Sequence, residues 1–70
     1  MNAIIANYIN GNLSDAKRGA KRHSFTALLS ALREHGYSAE AAIAIAAFLK
    51  GQGSFQAACD ASFGGGHFNR

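Results

Sequence analysis

"NLSDAKRGAKRHSFTALLSALREH", residues 12–35, decides the fold. It reads at first as one long helix. Four cations, Lys17, Arg18, Lys21 and Arg22, crowd into it ahead of an apolar run that begins at Phe25. Two apolar stripes lie along this stretch. Leu13, Ala16 and Ala20 make the first. Phe25, Leu28, Leu29 and Leu32 make the second, at the i, i+3, i+4, i+7 spacing of an amphipathic helix. At about 100° per residue, a continuous helix would point the second stripe to the side that carries the cations. One rigid rod cannot bury both stripes and keep four charges in water. The chain therefore has to break near His23 and Ser24, with Ser24 as the N-cap of a new helix.

Upstream, "AIIANYI" (residues 3–9) sets Ile4, Ile5, Tyr8 and Ile9 on one helical face. A helix this short is unstable alone, so it has to dock on the rest. Asn10 and Gly11 supply a C-cap and a turn, and Asn12 is the expected N-cap of the second helix. Asp15 suits the positive end of that helix. Gly19 weakens the helix by roughly 1 kcal/mol relative to alanine.

Downstream, Gly36 stops the third helix and Ser38 caps the fourth, "AEAAIAIAAFLK" (residues 39–50). Glu40 and Lys50 match its dipole. The middle of this helix is apolar on all sides, the pattern of a central helix wrapped by the others. Gly51 and Gly53 end it. Ser54 caps a fifth helix, "FQAACDASF", with Phe55, Ala58, Cys59 and Ser62 turned inward. The sequence thus predicts an all-α single domain over residues 1–63, a bundle of about five short helices. Residues 64–70, "GGGHFNR", read as a flexible glycine-rich tail, because three consecutive glycines lose much entropy on ordering.

The 70 residues contain no proline and one cysteine, which cannot form an intramolecular disulfide. Small size without a staple suits a reducing cytoplasm, here that of a host cell. The longest apolar run, residues 41–49, falls well short of the roughly 20 residues of a membrane span, and no signal peptide is apparent. A soluble, cytoplasmic protein with no membrane partner is expected.

Chemistry is sparsely written. His23, His35 and His67 share no ligand spacing and Cys59 has no CxxC partner, so no metal site is expected. Cys59 falls on an apolar stripe, and the carboxylates show no acid–base pairing, so no catalytic residue and no cofactor are expected. A helix-turn-helix reading of the third and fourth segments fails for want of a polar recognition face.

The cations remain. Lys17 with Lys21, and Arg18 with Arg22, are like-charge i, i+4 pairs, which repel by a few tenths of a kcal/mol. Folding alone does not favour them. Lys17, Arg18, Lys21 and Arg22 are therefore the candidate partner-binding residues, set against the plainer reading of a solvated face. The net charge of +3 permits an acidic partner.

Two resemblances add expectations. "HGYSAEAA" and "GQGSFQAA" place residues 24–63 near the loop and helix spacing of ubiquitin-associated-like three-helix domains. That family's loop begins Met-Gly, where this chain has His35 before Gly36. The resemblance implies a compact core with a protein-binding loop, and does not imply ubiquitin binding. "NYINGNLSDAKRGAKR" with "AAFLKGQGSFQAACDA" resembles small accessory proteins carried by phages and plasmids, of the anti-CRISPR inhibitor type. It implies a non-catalytic interaction protein. The expected partner is an acidic protein surface or a nucleoprotein complex. A direct nucleic-acid binder using the same four residues is the alternative, and a subunit that self-associates through the first helix is another.

Overall fold

The chain breaks where the two stripes conflict. In the computed structural model, which describes residues 2–63, helix α2 (Leu13–Ala20) ends before Lys21 and helix α3 (Phe25–His35) starts after Ser24. The last turn of α2 tightens: the Arg22 N–H donates to the Gly19 carbonyl and the His23 N–H to that of Ala20. Both stripes then reach the core. Ala16 and Ala20 are fully buried, as are Leu28 and Leu32, with Leu13, Phe25 and Leu29 packed at the margin. Helices α1 (Asn2–Ile9), α4 (Ala39–Leu49) and α5 (Phe55–Phe63) complete the all-α fold.

Local chemistry repeats itself at the boundaries. Three helices begin with a serine whose hydroxyl accepts the N–H three residues on. These pairs are Ser24 with Ala27 at 3.1 Å, Ser38 with Ala41 at 3.2 Å, and Ser54 with Ala57 at 3.0 Å. Each satisfies one of the orphan donors of a helix N-terminus. Three helices end on a glycine at positive φ, Gly11, Gly36 and Gly51. After each, the next N–H reaches back five residues: Asn12 to Asn7, Tyr37 to Leu32, and Gln52 to Ala47. This is the Schellman closure, which needs the left-handed step that glycine takes without steric cost.

Asn12 departs from expectation. It precedes α2 as predicted, but its side chain makes no capping bond. Its backbone sits at ψ 68°, against 162° and 165° for Ser24 and Ser38. The turn from α1 already uses its N–H, which donates to the Asn7 carbonyl at 2.8 Å. That closure holds the residue away from the extended conformation that aims a capping side chain.

Helix α4 sits at the middle. It packs on α3 and α5 and touches α2, which in turn carries α1. Ala41, Ala42, Ile45, Ala46, Phe48 and Leu49 are buried. The helix is not covered on every side, however: Ile43 is 49% exposed. The expected faces of α1 and α5 need the same trimming. Ile4, Ile5 and Tyr8 are buried but Ile9 is 52% exposed, and Phe55 is 36% exposed beside buried Ala58 and Cys59. Ser62 is half-buried and donates its hydroxyl to the Ala58 carbonyl at 2.8 Å.

Gly19 has a purpose that propensity alone does not show. A Cβ there would stand 2.9 Å from Cγ1 of Ile4, closer than carbon atoms pack. The missing side chain lets α1 lie directly on α2. The expected tail, residues 64–70, lies outside the described residues.

Candidate functional site

The four candidate cations occupy the last turn of α2 and the link to α3. Lys17 and Arg18 are helical, while Lys21 is the C-cap and Arg22 lies in the turn. All four are exposed. They therefore do not form one helical face, and their environments differ. The Lys17 ammonium stands 4.7 Å from the centroid of the Phe48 ring, a cation–π contact. The Arg18 guanidinium donates to the Asp15 carboxylate at 2.9 Å, an exposed i, i+3 pair. Among the described residues, neither Lys21 nor Arg22 has a side-chain partner.

A fifth cation joins them. The sequence assigns Lys50 to the dipole of its own helix, but its amine crosses to the end of α2. There it donates to the His23 carbonyl at 2.7 Å and, more weakly, to the Ala20 carbonyl at 3.4 Å. Helix C-termini leave carbonyls without intrahelical donors, and a lysine is a strong partner for them. Lys50 borders a shallow hollow together with Lys17, Lys21, Leu49 and Gly51. Three ammonium groups from two separate segments thus ring one depression with an aliphatic side chain in its wall.

Phe48 connects this hollow to a second feature. Tyr8, Phe48 and Phe55 form a mutual aromatic triad. Ring centroids are 6.2 Å apart for Tyr8–Phe48, 6.3 Å for Tyr8–Phe55 and 5.4 Å for Phe48–Phe55, all tilted or edge-on. These are the arrangements that ring quadrupoles favour. Tyr8 and Phe55 then line an apolar hollow with Ile9, Gly11, Tyr37, Cys59 and Ser62. Sequence reasoning missed this hollow, because its walls come from α1, α5 and the link between α3 and α4. Periodicity turned Ile9 and Phe55 inward with their neighbours and gave no sign of their exposure.

Burial governs the titratable groups here. It pushes the Tyr8 hydroxyl up to about 12, helped by Cys59 and Tyr37. It raises Tyr37 in the same direction. The Cys59 thiol is also raised, by burial first and by the Asp60 carboxylate second, so it stays protonated at neutral pH. A protonated thiol is a poor nucleophile. His35 stacks on Tyr37 with centroids 5.7 Å apart, and His23 offers its carbonyl to Lys50. His67 lies outside the described residues. Among the described residues no three His, Cys, Asp or Glu side chains gather as a metal site would need, and no helix is long and apolar enough to cross a membrane.

No family model matches the chain, and no curated protein or solved structure matches it either.

Proposed function

We propose that this is a non-catalytic interaction protein that docks its basic edge, the end of α2, on an acidic protein surface or nucleoprotein complex. The observation that carries this reading is the placement of Lys21 and Arg22. They stand exposed and without side-chain partners among the described residues, beside Lys17 and Lys50. Five of the seven Lys and Arg residues of the chain thus collect around one helix terminus. A helix C-terminus welcomes cations, and one or two would serve the dipole. Five exceed what it requires, and Asp15 is their one counter-ion in the described residues. An inhibitor of a host defence complex, of the phage- or plasmid-borne type, is a role consistent with such an edge.

The test is affinity capture from a lysate of the host cell, with the wild type and with a variant in which Lys17, Arg18, Lys21 and Arg22 are all alanine. The expected result is a partner that the wild type retains and the variant loses. If the variant captures the same partner, the basic edge is not the docking surface. A labelled DNA or RNA probe supplies the second arm. Binding that falls steeply with salt would move the assignment to direct nucleic-acid binding.

A further inference from the structure

The basic hollow and the apolar hollow are joined through two ring contacts. The Lys17 amine is 4.7 Å from the Phe48 ring, and Phe48 is 5.4 Å from Phe55, which lines the apolar hollow. Side chains one helical turn apart, or two residues apart on a strand, span distances of about 5–7 Å. Together the two contacts bring the Lys17 amine within about 10 Å of the Phe55 ring, a span that an acidic and an apolar residue about three positions apart in an extended segment cover. We propose that the two hollows act as one binding surface. Its occupant is an acidic peptide segment of a partner protein, with carboxylates at Lys17 and Lys21 and an apolar anchor against Ile9, Tyr37 and Phe55. The proposal rests on the basic-edge reading above and names the chemistry of the partner.

Charge complementarity selects the acidic half. The walls select the anchor. They are mainly aliphatic and aromatic carbon; the polar side-chain groups of the lining residues are the Cys59 thiol and the hydroxyls of Tyr8, Tyr37 and Ser62, the last donating to the Ala58 carbonyl. A nucleobase placed there would leave ring N–H and carbonyl groups with few partners, which is costly. A leucine or phenylalanine side chain has nothing to leave unpaired and gains by leaving water. Ile9, 52% exposed on a helix whose other large apolar residues are buried, is the apolar residue such an anchor would cover.

A displayed library of random 12-residue peptides, selected on the immobilised wild-type protein, tests this. Enriched peptides should pair Asp or Glu with Leu, Ile, Phe or Trp within about four positions. A synthetic peptide from that pool should bind Ile9→Ser about tenfold more weakly. It should bind Lys21→Ala several-fold more weakly, with that difference shrinking as salt rises. Ile43→Ser, an equally exposed change away from the hollow, should bind as the wild type does and confirms that the loss is local. Acidic peptides without an anchor would overturn the proposal while leaving the basic edge in place. Apolar peptides without acids would overturn both. No enrichment over the bare support, or displacement of the peptide by a DNA oligonucleotide at equal concentration, would also overturn the proposal.

Discussion

The Lys17 ammonium rests 4.7 Å above the Phe48 ring, while Lys21, one turn on, has no side-chain partner among the described residues. This divides a stretch that looks uniform in sequence. Lys17→Ala should lower stability by about 0.5–1 kcal/mol, through the lost cation–π contact and stem packing. Arg18→Ala removes an exposed ion pair and should cost about 0.5 kcal/mol or less. Lys21→Ala and Arg22→Ala should stay within about 0.5 kcal/mol of wild type. Urea unfolding of the four single variants checks the order. A large loss at Lys21 would mean that it has a structural task.

Gly19→Ala sets two magnitudes against each other. Alanine improves the helix by roughly 1 kcal/mol. Its Cβ, however, meets Cγ1 of buried Ile4 at 2.9 Å. Ile4 is β-branched and has few rotamers to escape into, and overpacking of this kind costs about 1–3 kcal/mol. The net expectation is destabilisation by about 1 kcal/mol. In an Ile4→Ala background the same change should become neutral or favourable, a coupling that a double-mutant cycle measures.

Lys50→Met keeps the side-chain stem and removes the amine from the His23 and Ala20 carbonyls. A hydrogen bond from a charged donor contributes about 1.5–3 kcal/mol net. With one bond at 2.7 Å and the other long at 3.4 Å, the expected loss lies near the lower end of that range. The variant should also show faster amide exchange in the link between α2 and α3. A melting temperature equal to wild type would show that these carbonyls are satisfied by water instead.

Alkaline pH should unfold the protein through Tyr8. Its hydroxyl ionises near 10 in the unfolded chain and at about 12 in the fold. The contribution is complete below pH 10 and fades as pH rises toward 12, because only the unfolded chain can release the proton there. Tyr37 and Cys59 are shifted in the same direction and deepen the decline. Tyr8→Phe keeps the ring against Phe48 and Phe55 and should flatten the pH dependence. Tyrosinate absorbance followed through the titration should show one tyrosine ionising only near pH 12.

The five helices were legible because most of their boundaries are local devices. A serine three residues ahead of a free N–H, or a glycine after the last apolar residue, acts within one turn of chain. The break at Ser24 followed from the angle between two stripes, which is likewise local. What stayed hidden depends on which helix meets which. Lys50 looked like a dipole match until the crossing of α4 over α2 brought the His23 carbonyl within 2.7 Å. Gly19 looked like a weakness because the residue that needs its space, Ile4, belongs to another helix. The Asn12 cap failed because the preceding turn had already fixed its backbone. The cations themselves were visible, but their sorting into engaged and unengaged members was not. It depends on Phe48, thirty-one positions from Lys17 along the chain.

The amine of Lys50 also bears on how quickly the molecule opens. Three of the helix contacts, α1 on α2, α3 on α4 and α4 on α5, join neighbours along the chain. Such local pairings form within microseconds to milliseconds, without closing a long loop. The Lys50 to His23 bond closes 27 residues of chain between the start of α3 and the end of α4. Pairing of α3 with α4 already closes most of that loop, so the bond itself is expected to form late, when the ends of the two helices are in place. Removing it should therefore leave the folding rate nearly untouched and raise the unfolding rate instead. Lys50 would then act as a latch on the lifetime of the native state, set beside the lysines and Arg22 that would meet a partner.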